Sequence, residues 1–330
     1  MKPYVIGIDM GGTNTVFGIV DARGVVIASS SIKTAKHNNF DDYIDELHEE
    51  LTRLVKANDA EGKVHGIGIG APNANYYTGE ITDGVNLPWP TPIPLARKIE
   101  EKFGIPCAIT NDANAAAIGE MTYGTARGMK DFIMITLGTG VGSGIVINGA
   151  VVYGHDGFAG ELGHMIVKRT NGRLCGCGRA GCLEAYCSAT GVARTAREFL
   201  EIRNEPSLLR NIPIDEITSK DVYDAAIAGD KIAKEIFEYT GTILGEAMAD
   251  MTVFSSPQAF ILFGGLAKSG ELLMRPLREA MNRSMLSIFK GKPKVLLSEL
   301  KDADAAILGA SALGWEAKPM AAPAAAAPEA

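Results

Sequence analysis

The densest group of reactive side chains is His164, Cys175, Cys177 and Cys182, a His-x10-Cys-x-Cys-x4-Cys set interleaved with Gly176, Gly178 and Gly181. Four soft donors at this spacing suit tetrahedral Zn²⁺, and a site filled by four protein ligands is structural rather than catalytic. The alternative is free thiols or a redox pair in a mobile loop. Cys107 and Cys187 are expected to be buried free thiols, since Cys107 falls in an apolar strand pattern and Cys187 lacks a further partner.

A second group is built from glycines. Asp9-Met10-Gly11-Gly12-Thr13 sets a carboxylate at the end of an apolar run, then a Gly pair, then a hydroxyl. Glycines let backbone N–H groups approach an anion, and the carboxylate can hold Mg²⁺ directly or through water. Gly138-Thr139-Gly140, opening the run Gly138–Gly144, repeats the arrangement after another apolar run. Each segment alone reads as a hairpin turn. Two of the same make, each behind a strand, favour phosphate binding. Neither is a Walker A sequence, because no Gly-Lys-Ser/Thr follows. Gly264-Gly265, after Ala259–Phe263, offers backbone for a nucleotide base or ribose, or is a plain strand-to-helix turn. Gly66-Ile67-Gly68-Ile69-Gly70-Ala71 matches a loose dinucleotide pattern, but Pro72 prevents a helix from opening there, so these glycines are read as close packing in a strand.

Phosphoryl transfer to a hydroxyl needs a proton acceptor within hydrogen-bond reach. Asp112 follows the strand Cys107–Thr110 and opens a small-residue helix, which displays it, and Asn111 beside it can both donate and accept. Helix capping is the competing role for both. Glu161, His164 and Glu184 are further polar candidates. Carboxylates accepting from adjacent hydroxyls are a usual way to hold a hexose, and solvated charge is the plain alternative.

These groups need elements to position them. Tyr4–Asp9, Thr15–Val20 and Val25–Ser31 read as an antiparallel meander. Phe40–Lys56 and Ile93–Phe103 read as helices, with strands at Val64–Gly70 and Cys107–Thr110 and a helix at Ala113–Gly119. Phe132–Leu137 and Gly144–Ile147 repeat the strand–Gly turn–strand pattern of the N-terminus, as two related lobes facing each other across a cleft would. From Ser188 the chain turns helical, with helices at Lys231–Val253, Ser269–Leu286 and Asp304–Leu313 around the strand Ala259–Phe263. The division expected is a smaller lobe of 1–110 plus 302–318, a larger lobe of 111–301 carrying the zinc loop, and a disordered Ala/Pro tail at 319–330. The crossings fall near Thr110–Asp112 and Ser298–Asp302.

Composition bounds the classes. With 330 residues, 46% hydrophobic and 22% charged, the chain is long enough for two lobes and ordinary for a globular protein. A net charge of -7 disfavours nucleic acid as a partner. No signal peptide is expected at Met1–Asp9, and no run of about 18 uncharged apolar residues exists to span a membrane. Five cysteines, an odd number, fit a reducing, cytoplasmic setting.

Taken together, Asp9-x-Gly-Gly-Thr13, Asn111-Asp112-x-Asn114, Leu137-Gly-Thr-Gly-x-Gly142, Gly160-Glu-Leu-Gly-His164 and Cys175-x-Cys-Gly-x-x-Gly-Cys-x-Glu184 resemble the ROK family (repressor, open reading frame, kinase), over roughly Pro3–Leu313. Members nearest in kind are bacterial glucokinases. The resemblance implies an α/β two-lobed actin/hexokinase-like (ribonuclease H-like) ATPase fold with the active site in the interlobe cleft. It implies transfer from ATP to a hexose, with glucose as leading candidate. Asp112 would be the base, Asn111, Glu161, His164 and Glu184 the sugar contacts, and His164 also a zinc ligand. A homodimer is implied as well. A kinase for another hexose (mannose, fructose, allose or an N-acetylhexosamine) and a non-catalytic sugar sensor are the alternatives. A repressor of the same family would need a helix-turn-helix ahead of the first strand, which starts by Val5.

Overall fold

The structure, a computed structural model, describes residues 2–82, 87–300 and 302–319. It divides into two compact units. The first comprises residues up to Tyr123, the segment Tyr153–Phe158 and the described residues from Leu300 on; the second comprises Gly124–Val152 and Ala159–Glu299. The changeovers expected near Thr110–Asp112 and Ser298–Asp302 thus fall at Tyr123/Gly124 and Glu299/Leu300, and Tyr153–Phe158 returns to the first unit. From Met320 on, the expected tail lies outside the described residues.

The first unit is built on β1 (Tyr4–Met10), β2 (Thr15–Asp21) and β3 (Val26–Ile32), followed by α1 (Phe40–Ala57), β4 (Val64–Gly70), α2 (Leu95–Phe103), β5 (Cys107–Thr110) and α3 (Asp112–Tyr123). Its sheet has the order β3-β2-β1-β4-β5. The β1–β2–β3 meander is antiparallel, as its short turns require, while β4 and β5 run parallel to β1 through helical crossovers. β1 and β4 are almost wholly buried, whereas β3, at the sheet edge, alternates half-buried and exposed residues until Ile32, which is buried. Asn39 caps α1 by accepting the Asp41 N–H at 2.9 Å, and Tyr43, Ile44, Leu47 and Leu51 form its buried face. α2 starts two residues later than the spacing predicts. Ile93 precedes Pro94, which disfavours helical backbone at Ile93, and Ile93 bridges to Ile81 instead.

The second unit holds β6 (Phe132–Leu137), β7 (Val141–Ile147), β8 (Ala150–Val151), α4 (Glu184–Cys187), α5 (Ala189–Ile202), α6 (Ser219–Ile227), α7 (Lys231–Ser255), β9 (Ala259–Phe263), α8 (Glu271–Ser284) and β10 (Lys294–Leu297). Its sheet order is β10-β9-β6-β7-β8. β6–β7–β8 is an antiparallel meander, and β9 and β10 run parallel to β6 and β9 respectively. The second sheet therefore repeats the topology of the first, and the sequence echo marks a repeated fold. β7 starts at Val141, so Gly142 and Gly144 sit in the ladder opposite Thr136 and Met134, and the predicted glycine loop shrinks to Gly138–Gly140. Gly270, at φ 60°, interrupts the chain ahead of α8, so that helix starts two residues later than the expected Ser269, and it ends at Ser284, where Met285 turns to extended backbone.

The last helix, α9 (Asp302–Gly314), lies in the first unit on a floor of glycines. A Cβ on Gly68 would stand 1.9 Å from the Ala310 carbonyl oxygen, and one on Gly7 2.1 Å from that of Ile307. This is the close packing expected of the Gly66–Gly70 run.

Candidate active site and metal centre

In the first unit, strand register brings two carboxylates together. Asp9 on β1 stands opposite Gly70 on β4, and Gly70 opposite Thr110 on β5. Asp112 begins α3 two residues beyond Thr110, so both acids lie at the C-terminal ends of parallel strands. Gly70 leaves room between them: a Cβ there would be 3.6 Å from Asp112 Cα and 4.0 Å from Asp9 Oδ1. Burial, then the neighbouring Asp112 charge, push the Asp9 carboxyl up to about 6. Asp112 presents an exposed face, yet crowding by protein raises its carboxyl as well, opposed by the N–H groups of Ala113 and of Asp112 itself. The capping alternative is real in part. Ala113 N–H donates to Asn111 Oδ1 and to Asp112 Oδ1, both at 2.8 Å.

The turn after β1 is closed by Gly11 N–H donating to the Asn14 carbonyl at 3.0 Å, with Thr13 exposed and Gly11 and Gly12 half-buried. Beneath it lies a hydroxyl cluster that sequence reading missed. Thr15 Oγ1 is 2.8 Å from Thr34 Oγ1 and 2.9 Å from Tyr43 OH, all buried. Three hydroxyls scattered across a strand, a turn and a helix leave no local pattern.

In the second unit, the Gly138–Gly140 turn is held from several sides. Gly138 N–H donates to the Gly140 carbonyl at 3.1 Å, Ala189 N–H to the Gly138 carbonyl at 2.8 Å, and Thr190 Oγ1 to the Thr139 carbonyl at 2.9 Å. Glu184 Oε2 accepts Val141 N–H at 2.9 Å. Gly264, at φ 101°, approaches so closely that a Cβ would stand 2.5 Å from the Leu137 carbonyl oxygen, which sets Gly264-Gly265 beside this turn. A cavity of about 360 Å³ opens there, lined by Ser219, Lys220 and Tyr223 of α6 and by Gly265, Leu266 and Lys268.

Exposed Glu161 leads into a single helical turn, Leu162–His164, that rests on β7. Leu162 N–H donates to Ser143 Oγ at 3.0 Å, and a Cβ on Gly163 would be 2.0 Å from the Val141 carbonyl oxygen. This packing turns His164 toward the cysteines. Its Nδ1 is 3.7 Å from Cys175 Sγ, Cys177 Sγ is 3.6 Å from Cys182 Sγ, and all four donor atoms lie within 4.8 Å of one another. Tetrahedral Zn²⁺ with bonds of about 2.1–2.3 Å separates its ligand atoms by roughly 3.6–3.8 Å, so the donor set fits. Cys107 and Cys187 are free and buried, as expected.

The residue that secures this hairpin is Arg173, which nothing in the sequence singles out. Only 7% exposed, it reaches Glu198 through Nη2 at 2.5 Å, the Ala185 carbonyl through Nη1 at 3.0 Å and Thr195 Oγ1 at 2.9 Å. Its guanidinium lies 4.5 Å from the Tyr186 ring centre, and its backbone N–H donates to Tyr186 OH at 2.8 Å.

A repeated ribonuclease H-like sheet, glycine turns behind strands and a Cys/His group describe a class of α/β phosphate-handling proteins, and comparison with known proteins narrows it. A sequence profile of the ROK family matches residues 5–317, and the chain belongs to that family. It is 34% identical over 324 residues to a glucokinase of Halalkalibacterium halodurans, covering 96% of this chain and 95% of that one. A solved ROK family glucokinase from Streptomyces griseus, in complex with glucose and AMPPNP, is 33% identical with a TM-score of 0.76, covering 95% of this chain and 99% of that one. A xylose repressor of Caldicellulosiruptor bescii is 29% identical, covering 94% of this chain and 77% of its own length. The fold is of the actin/hexokinase-like α/β kind.

Proposed function

We propose that the chain is an ATP-dependent hexose kinase, a glucokinase that transfers the γ-phosphoryl group of ATP to the 6-hydroxyl of glucose. One observation carries the reading. In a chain similar to a glucokinase over nearly its whole length, Asp112 stands displayed at the helix start, close enough for its charge to raise the Asp9 carboxyl. A sugar sensor needs neither acid.

In this reading Asn111, Glu161, His164 and Glu184 hold the sugar, and Asp112 takes the proton of the attacking hydroxyl. The raised carboxyl of Asp112 brings its basicity nearer to working pH. Gly11, Gly12, Thr13, Gly138, Thr139 and Gly140 receive the phosphates through backbone N–H groups and hydroxyls. Gly264-Gly265 and the adjoining cavity take the nucleoside. Asp9 would hold Mg²⁺, which neutralises phosphate charge when bound. His164, Cys175, Cys177 and Cys182 would hold Zn²⁺, whose contribution is structural: it locks the hairpin that carries Glu184. Among the described residues no helix is long and apolar enough to cross a membrane. A cytoplasmic homodimer completes the proposal, on the strength of the family resemblance and the cysteine usage.

The xylose repressor relative favours one rival, a sugar-binding protein without catalysis. Phosphorylation assays with ATP and Mg²⁺ across glucose, mannose, fructose, allose and N-acetylhexosamines decide the matter. A dominant response to glucose is expected. A dominant response to another hexose would replace the substrate, and silence with sugar still bound would replace the activity.

A further inference from the structure

Glu184 does more in this structure than border a sugar. Its Oε2 accepts the Val141 N–H at 2.9 Å, directly after the Gly138–Gly140 turn. Gly140 lies so near that a Cβ there would stand 2.4 Å from the same oxygen. Its Oε1 faces Cys175 Sγ at 3.5 Å, and Cys182, another of the four metal donors, precedes it by two residues. The segment that follows continues the grip: Ser188 Oγ donates to the Glu184 carbonyl at 2.7 Å, and Ala189 and Thr190 bond to the turn at Gly138 and Thr139. The metal hairpin and the phosphate turn thus meet in one carboxylate.

We propose that Glu184 is a positioning residue through which the Cys/His metal group sets the Gly138–Gly140 turn, so that nucleotide affinity depends on metal occupancy. The inference rests on the reading of that turn as a phosphate site. With metal on Cys175 the thiol no longer donates, and the tie runs through the backbone from Cys182. That backbone is itself anchored where Leu183 N–H donates to the Met165 carbonyl at 2.9 Å. Loss of metal frees the hairpin, the carboxylate shifts, and Val141 N–H loses its charged acceptor.

The test is ADP binding by calorimetry, with Mg²⁺ and without sugar, on zinc-loaded and chelator-stripped protein. Glu184→Ala is expected to weaken ADP binding on the order of tenfold, or about 1.4 kcal/mol, with zinc retained. Glu184→Gln, which keeps an acceptor oxygen for Val141 N–H, should stay within about threefold of the parent. Stripping zinc should weaken ADP binding in the parent and add little in Glu184→Ala, because both act on the same link. Should Glu184→Ala fail to fold, Glu184→Met keeps the side-chain length, removes both oxygens and takes its place. Unchanged ADP affinity in the zinc-loaded variant, with only the sugar KM raised, would overturn the proposal, as would additive losses. A parent protein that binds no ADP would instead overturn the phosphate reading of the turn.

Discussion

Asp9 and Asp112 are costly to a protein that holds them side by side. A carboxyl whose pKa is raised on folding is destabilising once ionised. For Asp9 the cost begins as pH rises past the unfolded value near 3.8 and is complete above the folded value of about 6. Stability without Mg²⁺ should therefore fall as pH rises through that window, by an amount on the order of 1–3 kcal/mol. Asp9→Asn should flatten the fall and raise Tm at pH 7; thermal melts at pH 4, 5, 6 and 7 measure it. Asp112→Asn should cut kcat by roughly 10²–10⁴ while sugar affinity holds and Tm at pH 7 rises, because the variant removes a charge that crowding by protein disfavours and that also burdens Asp9. Near-normal turnover in that variant would move the base elsewhere. Both acids could be nominated from sequence, because each follows an apolar strand and neighbours a glycine turn or a helix start. Their adjacency could not, since it depends on which rung of β1 faces which rung of β4 and β5.

At the scale of elements, the Cys/His hairpin and the glycine floor make distinct demands. Gly181, at φ 87°, leaves no space for a side chain: a Cβ would stand 1.9 Å from the Lys168 carbonyl oxygen. Cys177→Ser should lose zinc and lower Tm together, since metal binding and hairpin folding are linked. Zinc content and melting temperature on one sample check it, and a folded, active, metal-free variant would remove the structural role. Gly68→Ala tests the other element. Its Cβ would meet the backbone of α9, which is not free to move aside, so a loss of at least about 1–3 kcal/mol is expected. The spacing of the cysteines alone is enough to nominate a metal loop, because all the candidate thiol donors fall within one short stretch of chain. The glycine floor is only half announced, because a Gly-x-Gly-x-Gly strand signals a close approach without naming what approaches. α9 lies more than two hundred residues away in sequence.

At the scale of the whole molecule, the acidic balance and the duplicated sheet set the expectations. With a net charge of -7, the chain should show no measurable binding to duplex DNA at 100 mM salt in a mobility-shift assay, whereas a repressor-like role would give a shifted band. By itself the sequence determined the class of fold and the repeated strand–glycine turn–strand units, and it nominated the Cys/His donors and the candidate acids, because periodicity, turn chemistry and ligand spacing are local properties written within a few residues. Only the tertiary structure decided that Asp9 and Asp112 perturb each other, that Thr15, Thr34 and Tyr43 share one hydroxyl cluster, that Arg173 braces the hairpin, and that Glu184 reaches back to Val141. Each of those depends on strand register or on helix packing, and long-range contacts of that kind leave no periodic trace in the chain that makes them.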